Sequence, residues 1–548
     1  MNLIITLYFS FLLTALLVLV FMKIGERWGI VDEPNSRKVH LRPIPRTGGA
    51  GIIIGTLVPL VFLLEKDQVL LGLCLGAICM LFMGILDDKW DLNYKWKFLG
   101  QILAAVVTLL VSGIRFHTFG ELWPGYILDL GMLSLPFSTV FLVATTNMIN
   151  MSDGLDGLAG GICLLIFSCV GFLAFFQGDF LTLTVTVCCV GAVAGFLRYN
   201  TYPAIVFMGD TGSQFLGFFA GLTTLMLTQV KSIYSPIIAL YVLGIPAIDI
   251  TIVVFQRILD RRPIFGASKD HLHHKLLKLG FKHKEAVILI YAMQLVMIVT
   301  AWSVRFADDA ILLTVYLCVL GMMLTLAGLS LKIPFTMPSI YNQTGQVKRN
   351  PLRYKLQSFS RRTISRVTFY GMVISISLFY CIPPLVCKPF PMVVGIVSVS
   401  TIILFFILNK KKNSFISYLL MLCLYSIGIY YIFLTEYRIN LLNPQEVSNV
   451  CNLLLLFMGV FYLGYIIAAF EKIPFSALNY LLLAVVIFLF FLPNSYLDSN
   501  HLNSITAKVF LIFLVIDLIF YKFESFQSLV LGSAFITLAL TSIVAFSL

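Results

Sequence analysis

Charge is scarce in this chain. Asp, Glu, Lys and Arg make up only 12% of its 548 residues, about half the share in an average soluble domain, and 59% of the residues are hydrophobic. Too few polar side chains remain to cover a water-facing surface, which excludes an ordinary cytosolic enzyme and a disordered chain. The eleven cysteines contain no CxxC pair and no zinc-like spacing, and most of them (Cys74, Cys79, Cys163, Cys188, Cys189, Cys318, Cys423) sit in apolar runs. They read as small hydrophobes, and a disulfide-knit secreted domain is excluded. The first apolar run, 1–22, lacks a basic stretch before it and a small-residue cleavage site after it. It is expected to persist as a membrane span rather than to leave as a signal peptide. There is no fixed-period repeat and no low-complexity tract.

What the chain does have is a series of long apolar runs. Besides 1–22 they lie near 49–64, 69–86, 98–115, 134–150, 157–176, 180–198, 213–229, 234–255, 285–302 and 309–331, each about long enough to cross a bilayer. That makes eleven expected spans, with about seven more between 367 and 548. The fold class is therefore an all-α polytopic membrane protein. The expected organisation is a core at 1–331, a basic linker at 332–366 and a multi-span C-terminal extension at 367–548.

Orientation follows from where Lys and Arg fall. With the N-terminus outside, the inner loops 23–48, 87–97, 256–284 and 332–366 hold six, three, eight and eight of them. The outer connections before 332 hold only Lys66, Arg115, Lys231 and Arg305. This placement accounts for the net charge of +12 by an inner face that meets anionic lipid or an anionic substrate, so nucleic acid is not needed as a partner.

The 26 acidic residues cluster in short motifs. Asp87-Asp88-Lys89-Trp90-Asp91-Leu92 is followed by Lys95 and Lys97. Asn147-Met148-Ile149-Asn150-Met151-Ser152-Asp153-Gly154-Leu155-Asp156-Gly157 comes next, then Phe207-Met208-Gly209-Asp210-Thr211-Gly212-Ser213. His271-Leu272-His273-His274 lies in a basic loop, and Arg37-Lys38-Val39-His40 through Pro45-Arg46-Thr47-Gly48-Gly49 in the first inner loop. The topology puts all five on one side of the membrane, although it was read from Lys and Arg alone. Taken singly, each has a plain explanation: a span end, a turn, an N-cap, interfacial decoration, a positive-inside loop. Together they suit chemistry on a cytoplasmic substrate. Carboxylates with Asn and no thiolates suit a hard cation, Mg²⁺ or Mn²⁺. Lys, Arg and His beside them would neutralise a pyrophosphate. Three clustered histidines alone would suit zinc; among these groups, phosphate contact or proton transfer is the preferred reading. Phe207, three residues before Asp210, could stack a nucleobase or simply pack in the core.

The motifs DDxxxL with Lys97, NxxNxxDGLDGLAGG, FMGDTGS and HLHH, in this order between spans, resemble the polyprenyl-phosphate N-acetylhexosamine-1-phosphate transferases. That family includes the undecaprenyl-phosphate GlcNAc-1-phosphate transferases and phospho-MurNAc-pentapeptide translocase. The resemblance covers about residues 1–331, and RKVHLRPIPRTGG with HLHH is closer to the GlcNAc branch. It implies transfer of a sugar-1-phosphate from a UDP-N-acetylhexosamine, foremost UDP-GlcNAc, to a polyprenyl phosphate with release of UMP. Lipid-linked cell-envelope glycan synthesis would begin there, at the cytoplasmic face of a bacterial inner membrane. UDP-MurNAc-pentapeptide or another UDP-amino sugar is the alternative donor.

By the same resemblance, Asp210 is the metal ligand and Asp87 the base or nucleophile, supported by Asp88. Asn150 and Asp153 would lie near the pyrophosphate and sugar, Asp156 and Phe207 at the uridine. Lys97, His271, His273 and His274 would contact phosphate charge, with Lys38, His40 and Arg46 as weaker members. The sequence departs from the family where an Asp often stands three positions before the first histidine: here it has Ser268, and the nearby acid is Asp270. The extension at 367–548 carries no motif. Asp517 there is either an intramembrane functional acid or one drawn to an interface. A homodimer, and docking of later glycosyltransferases or a flippase on the extension, are open partner expectations. The rival class is a transporter or lipid flippase with ion-coupling acids, for which Asp249, after Gly244 and Pro246, is the best-placed residue.

Overall fold

The computed structural model describes residues 3–34, 43–123, 126–230, 232–262 and 270–332, with the single positions Leu455, Met458 and Leu511 beyond them. Lys38, His40, Ser268, Asp517 and nearly all of 333–548 lie outside the described residues, so the linker and extension stay expectations. The described chain is helical apart from two short antiparallel strand pairs and the connecting loops. Its elements are α1 (Leu3–Trp28), β1 (Val31–Asp32), β2 (Ile44–Pro45), α2 (Gly48–Leu63), α3 (Gln68–Trp90), α4 (Tyr94–Ser112), β3 (Thr118–Trp123) and β4 (Tyr126–Asp129). They continue with α5 (Ser134–Ser152), α6 (Leu158–Gln177), α7 (Phe180–Asn200), α8 (Gly209–Gln229), α9 (Ile238–Leu259), α10 (Leu272–Lys278), α11 (His283–Val304) and α12 (Asp309–Lys332). Among the described residues, eight helices are long and apolar enough to cross a membrane: α1, α3, α4, α5, α6, α7, α9 and α11. The chain is a multi-pass membrane protein.

Each of the eleven expected spans coincides with a helix, but three of these, α2, α8 and α12, are not among the eight. The strand pairs were not anticipated. β1 pairs antiparallel with β2, Val31 opposite Pro45. β3 pairs with β4, and its edge is tied to α12, where Asp309 Oδ2 accepts from the Glu121 amide at 2.5 Å. Two-residue ladders and a hairpin with irregular register carry too little alternation to register against long apolar runs.

The centre of the bundle is α8. Every residue from Thr211 to Thr228 is buried, as expected of a helix enclosed on all sides. Its N-terminal turn is gripped by small residues of two other helices. A Cβ on Gly49 would lie 2.2 Å from the Gly212 nitrogen, and one on Gly84 would lie 2.3 Å from the Thr211 Cα. Glycine at both positions lets α2 and α3 approach α8 backbone to backbone, as in small-residue membrane helix packing.

The helix α9 is broken. Gly244 adopts φ 36°, ψ −112° ahead of Pro246, a conformation open to glycine. The backbone groups freed there are met by Gln294 of α11: its Oε1 accepts from Ile245 N at 2.9 Å and its Nε2 donates to Val242 O at 2.9 Å. Gln294 is fully buried, so without these bonds it would leave polar groups unsatisfied in an apolar interior.

Because consecutive helices alternate in direction, the C-terminal ends of α3, α5, α7 and α9 lie at the same end of the bundle as the N-terminal ends of α4, α6, α8 and α11. The four acidic and histidine motifs of the described chain all fall there.

Candidate active site

Helix ends build the site. Asp87 is 3% exposed on the last turn of α3. Its Oδ1 lies 2.9 Å from the Lys97 ammonium of α4 and accepts from Leu92 N at 3.0 Å. The same ammonium lies 3.3 Å from Asp210 Oδ2 on the first turn of α8. One lysine thus sits between two carboxylates that repel each other in its absence. Asn150, from the end of α5, donates to Asp210 Oδ1 at 2.6 Å and to Ser213 Oγ at 2.8 Å. Three sequence motifs meet in contacts between residues 60 to 113 positions apart.

Below this cluster runs a chain of buried carboxamides. Asn147 donates to Gln101 Oε1 at 2.7 Å, Gln101 donates to Gln214 Oε1 at 3.2 Å, and Gln214 donates to Asp87 Oδ2 at 3.2 Å. Gln101 and Gln214 each use the oxygen for the previous donor and the N–H for the next acceptor, so the chain terminates on the carboxylate. Gln101 and Gln214 are 2% and 4% exposed; their buried polar groups depend on each other. Reading by motif missed both. The signal that could have found them is the rarity of Gln within apolar spans.

Asp88 lies beside Asp87 in sequence but has different partners. Its Oδ1 accepts from Asp210 N at 2.7 Å, and its Oδ2 accepts from Thr211 N at 3.1 Å and Thr211 Oγ1 at 2.5 Å. It therefore caps α8 from another helix, satisfying free amides where the helix dipole favours a negative charge. Gly209, at φ +67°, permits this: a Cβ there would lie 2.5 Å from both Asp88 Oδ2 and Arg46 O. Asp88 thus holds the first turn of α8, and with it Asp210, in place.

The remaining residues fall into two groups. The segment around β2 is laced to the FMGDTGS loop: Phe207 N donates to Pro45 O at 2.8 Å, Gly48 N to Phe207 O at 2.9 Å and Gly49 N to Met208 O at 2.9 Å. This brings Phe207 and Arg46 to the edge of the site, where the Arg46 guanidinium pairs with Asp32. Asp153 follows the last residue of α5 and is open to solvent. Asp156 accepts from Ala204 N at 3.0 Å, and Asn200 ties Gly157 N (3.0 Å) to Val206 O (2.9 Å). These bonds fix the DGLDG loop against the loop that precedes α8.

The histidines stand against that same loop. His271 and His273 are 5% and 4% exposed, with rings parallel to within 5° at 6.0 Å, and His274 lies 4.2 Å from His273. A Cβ on Gly154 would lie 2.1 Å from His273 Nε2; the missing side chain makes room for the ring beside Asp153. Burial first, then the neighbouring His274, pushes the His273 imidazole down to about 4. Asp270 lies 4.0 Å from Arg262.

With the geometry in place, known proteins are informative. A family profile described as Glycosyl transferase family 4 matches residues 70–228, the stretch from α3 through α8 that builds the Asp87–Lys97–Asn150–Asp210 cluster. A Bacillus subtilis (strain 168) protein named "Probable undecaprenyl-phosphate N-acetylglucosaminyl 1-phosphate transferase" is 34% identical over 53% of this chain and 82% of its own length. The chain belongs to glycosyl transferase family 4. Two other members are the "Undecaprenyl-phosphate alpha-N-acetylglucosaminyl 1-phosphate transferase" proteins of Salmonella typhi and Escherichia coli (strain K12). Each is 30% identical; they cover 56% and 51% of this chain and 86% and 78% of their own lengths.

Family 4 membership gives the cation question a definite form. Among the described residues, no three His, Cys, Asp or Glu side chains are grouped to enclose a metal ion. Asp210 is 30% exposed with Lys97 on one oxygen, and Asp153 is open nearby. This donor set fits a cation that takes one or two protein carboxylates and fills its other positions with phosphate and water, the habit of Mg²⁺.

Proposed function

We propose that the protein transfers N-acetylglucosamine-1-phosphate from UDP-GlcNAc to undecaprenyl phosphate, releasing UMP, on the cytoplasmic side of a bacterial inner membrane. The observation that carries this reading is the convergence of Asp87, Lys97, Asn150 and Asp210 at one end of the bundle, within the segment matched by the family. A lipid phosphate can reach this end of the bundle from the bilayer and a nucleotide sugar from the water. The excess of Lys and Arg in the loops at that end supports the cytoplasmic assignment.

An oxygen of the lipid phosphate attacks the sugar-linked phosphorus of the donor. The bond from that phosphorus to the oxygen bridging to UMP breaks, and UMP leaves with the electron pair. Lys97 supplies positive charge where two carboxylates would otherwise repel the phosphates. Asp87, held by Lys97 and Gln214, is oriented to accept the acceptor's proton when one is present; a phosphate monoester loses its second proton near pH 6, so this help is modest at pH 7. Asn150 holds Asp210, and the His271–His274 segment supplies donors to the donor's phosphates. Mg²⁺ or Mn²⁺, held by Asp210 with Asp153 beside it, would neutralise the pyrophosphate.

Asp249, the residue a transporter would use, is bonded to His271 and Leu272, which favours the enzyme. Purified protein with undecaprenyl phosphate, Mg²⁺ and a panel of UDP-sugars tests the reading. Lipid-dependent UMP release, greatest with UDP-GlcNAc, is expected. No release with any UDP-sugar would contradict it, and preference for UDP-MurNAc-pentapeptide would move the protein to the other branch.

A further inference from the structure

The broken helix α9 carries an acid that no motif of the sequence includes. Asp249 is 9% exposed and lies on the half-helix after the Gly244 break. Its Oδ2 lies 2.9 Å from His271 Nδ1, and its Oδ1 accepts from Leu272 N at 2.8 Å. A carboxylate can only accept, so opposite an ionised Asp249 the His271 Nδ1 would carry the proton and donate it to Oδ2. The ring is then fixed in rotation and tautomer, and Nε2 is the nitrogen left for other work. His273 stacks parallel on this ring and abuts Gly154 of the DGLDG loop. A single carboxylate thereby sets the start of a histidine array that ends beside Asp153.

We propose that Asp249 is a positioning residue for His271, acting on the transfer reaction by keeping a proton on Nδ1 so that Nε2 can take up a proton from water and, as the imidazolium facing the Asp249 carboxylate, donate it to the phosphates of the donor. This rests on the transferase reading above. The competing role is structural, a cap on α10, and Asp249→Asn separates the two. An Asn at 249 can still accept from Leu272 N through Oδ1. Its Nδ2 then faces His271 Nδ1 as a donor, which forces the proton onto Nε2. The cap survives and the tautomer is wrong, the logic known for the buried acid of serine-protease triads.

The test has two arms on the full-length protein in detergent. In the first, kcat and KM for UDP-GlcNAc are measured for Asp249→Asn, His271→Ala and the double variant, per folded molecule. We expect Asp249→Asn to lower kcat by about 10²-fold with donor KM little changed, the size of a lost proton-transfer or phosphate-donor contact. The double variant should be no worse than the poorer single one, because the two residues act as a unit. Losses that multiply, or an Asp249→Asn protein that keeps more than about a third of its kcat, would overturn the proposal. If Asp249→Asn does not fold, Asp249→Glu, which keeps a carboxylate but displaces it, takes its place under the same two outcomes. In the second arm, ¹⁵N spectra of histidine-labelled protein report the tautomer without any turnover. The His271 signal, assigned by its loss in His271→Ala, should be Nδ1-protonated in the wild type; an Nε2-protonated ring would overturn the proposal even in an active enzyme. A wild type that releases no UMP but shows the Nδ1-protonated ring refutes the transferase reading alone.

Discussion

Replacing Lys97 with Met should make the stability of this protein depend on divalent cations. The Lys97 ammonium is 2.9 Å from Asp87 and 3.3 Å from Asp210. At an effective dielectric constant of about 20 these contacts carry roughly 6 and 5 kcal/mol of raw attraction. Most of that is offset by desolvation, and Lys97 is 25% exposed, so the net loss on removing it is smaller. Deleting one partner of a buried pair typically destabilises by about 3–5 kcal/mol, because a charge is left uncompensated. Here two carboxylates are left facing each other. Methionine matches the stem and adds no charge, so the loss isolates the ammonium. A divalent cation bound between the freed carboxylates would restore part of it. The assay is thermal unfolding in detergent, followed by tryptophan fluorescence, with chelator or with millimolar Mg²⁺. The variant should unfold well below the wild type in chelator and recover more than the wild type in Mg²⁺, while UMP release stays depressed. A variant that unfolds with the wild type in chelator, or gains nothing extra from Mg²⁺, would refute the idea that Lys97 separates two ionised carboxylates.

Other expectations concern neighbouring features. His273 is held neutral, with its imidazole down at about 4 against 6.5 for an ordinary histidine; a lowered value makes its contribution to stability complete above pH 6.5 and lost as pH falls toward 4. The full loss is about 3 kcal/mol, and His273→Phe should flatten unfolding midpoints between pH 6.5 and 4 where the wild type slopes. Gln214→Leu removes the last donor of the carboxamide chain and strands the Gln101 amide. It should lower kcat and cost about 1–3 kcal/mol of stability, read by UMP release and chemical denaturation; an unchanged kcat would mean that Asp87 does not need the chain. Gly84→Ala drives a Cβ to 2.3 Å from the Thr211 Cα. It should destabilise by about 1–3 kcal/mol and misplace Asp210, so both unfolding temperature and activity should fall.

Much of this was legible in the sequence because it is local or periodic. Apolar runs are set by bilayer thickness, so a helix stands at each of the eleven runs through 331, eight of them long and apolar enough to span. Lys and Arg asymmetry, with the order of the four motifs, put Asp87, Lys97, Asn150, Asp210 and the histidines at one end of the bundle. What the sequence did not disclose are partnerships between distant residues. Nothing near Asp88 says that it caps α8, 122 residues away, while Asp87 beside it faces Lys97. Adjacent residues on a helix differ by about 100° in direction, so the two acids of one motif point to different neighbours. Gln101 and Gln214 are 113 residues apart and share no pattern. Asp249 stood out as an acid after a Gly and a Pro, which suited a coupling ion; only the fold of 270–272 against α9 gives it His271. The hairpin at 118–129 was hidden by its shortness.

Asp210 carries the central claim, because Lys97 and Asn150 converge on it and Asp88 caps its helix. The most direct measurement is UMP release from UDP-GlcNAc with undecaprenyl phosphate and Mg²⁺, comparing wild type with folded, monodisperse Asp210→Asn. Wild-type protein should release one UMP for each lipid-linked sugar phosphate formed. Asp210→Asn should lose far more than tenfold in kcat, a loss well above about 1.4 kcal/mol in transition-state stabilisation. A variant that keeps more than about a tenth of wild-type turnover would show that transfer does not depend on this carboxylate, and the site would have to lie elsewhere.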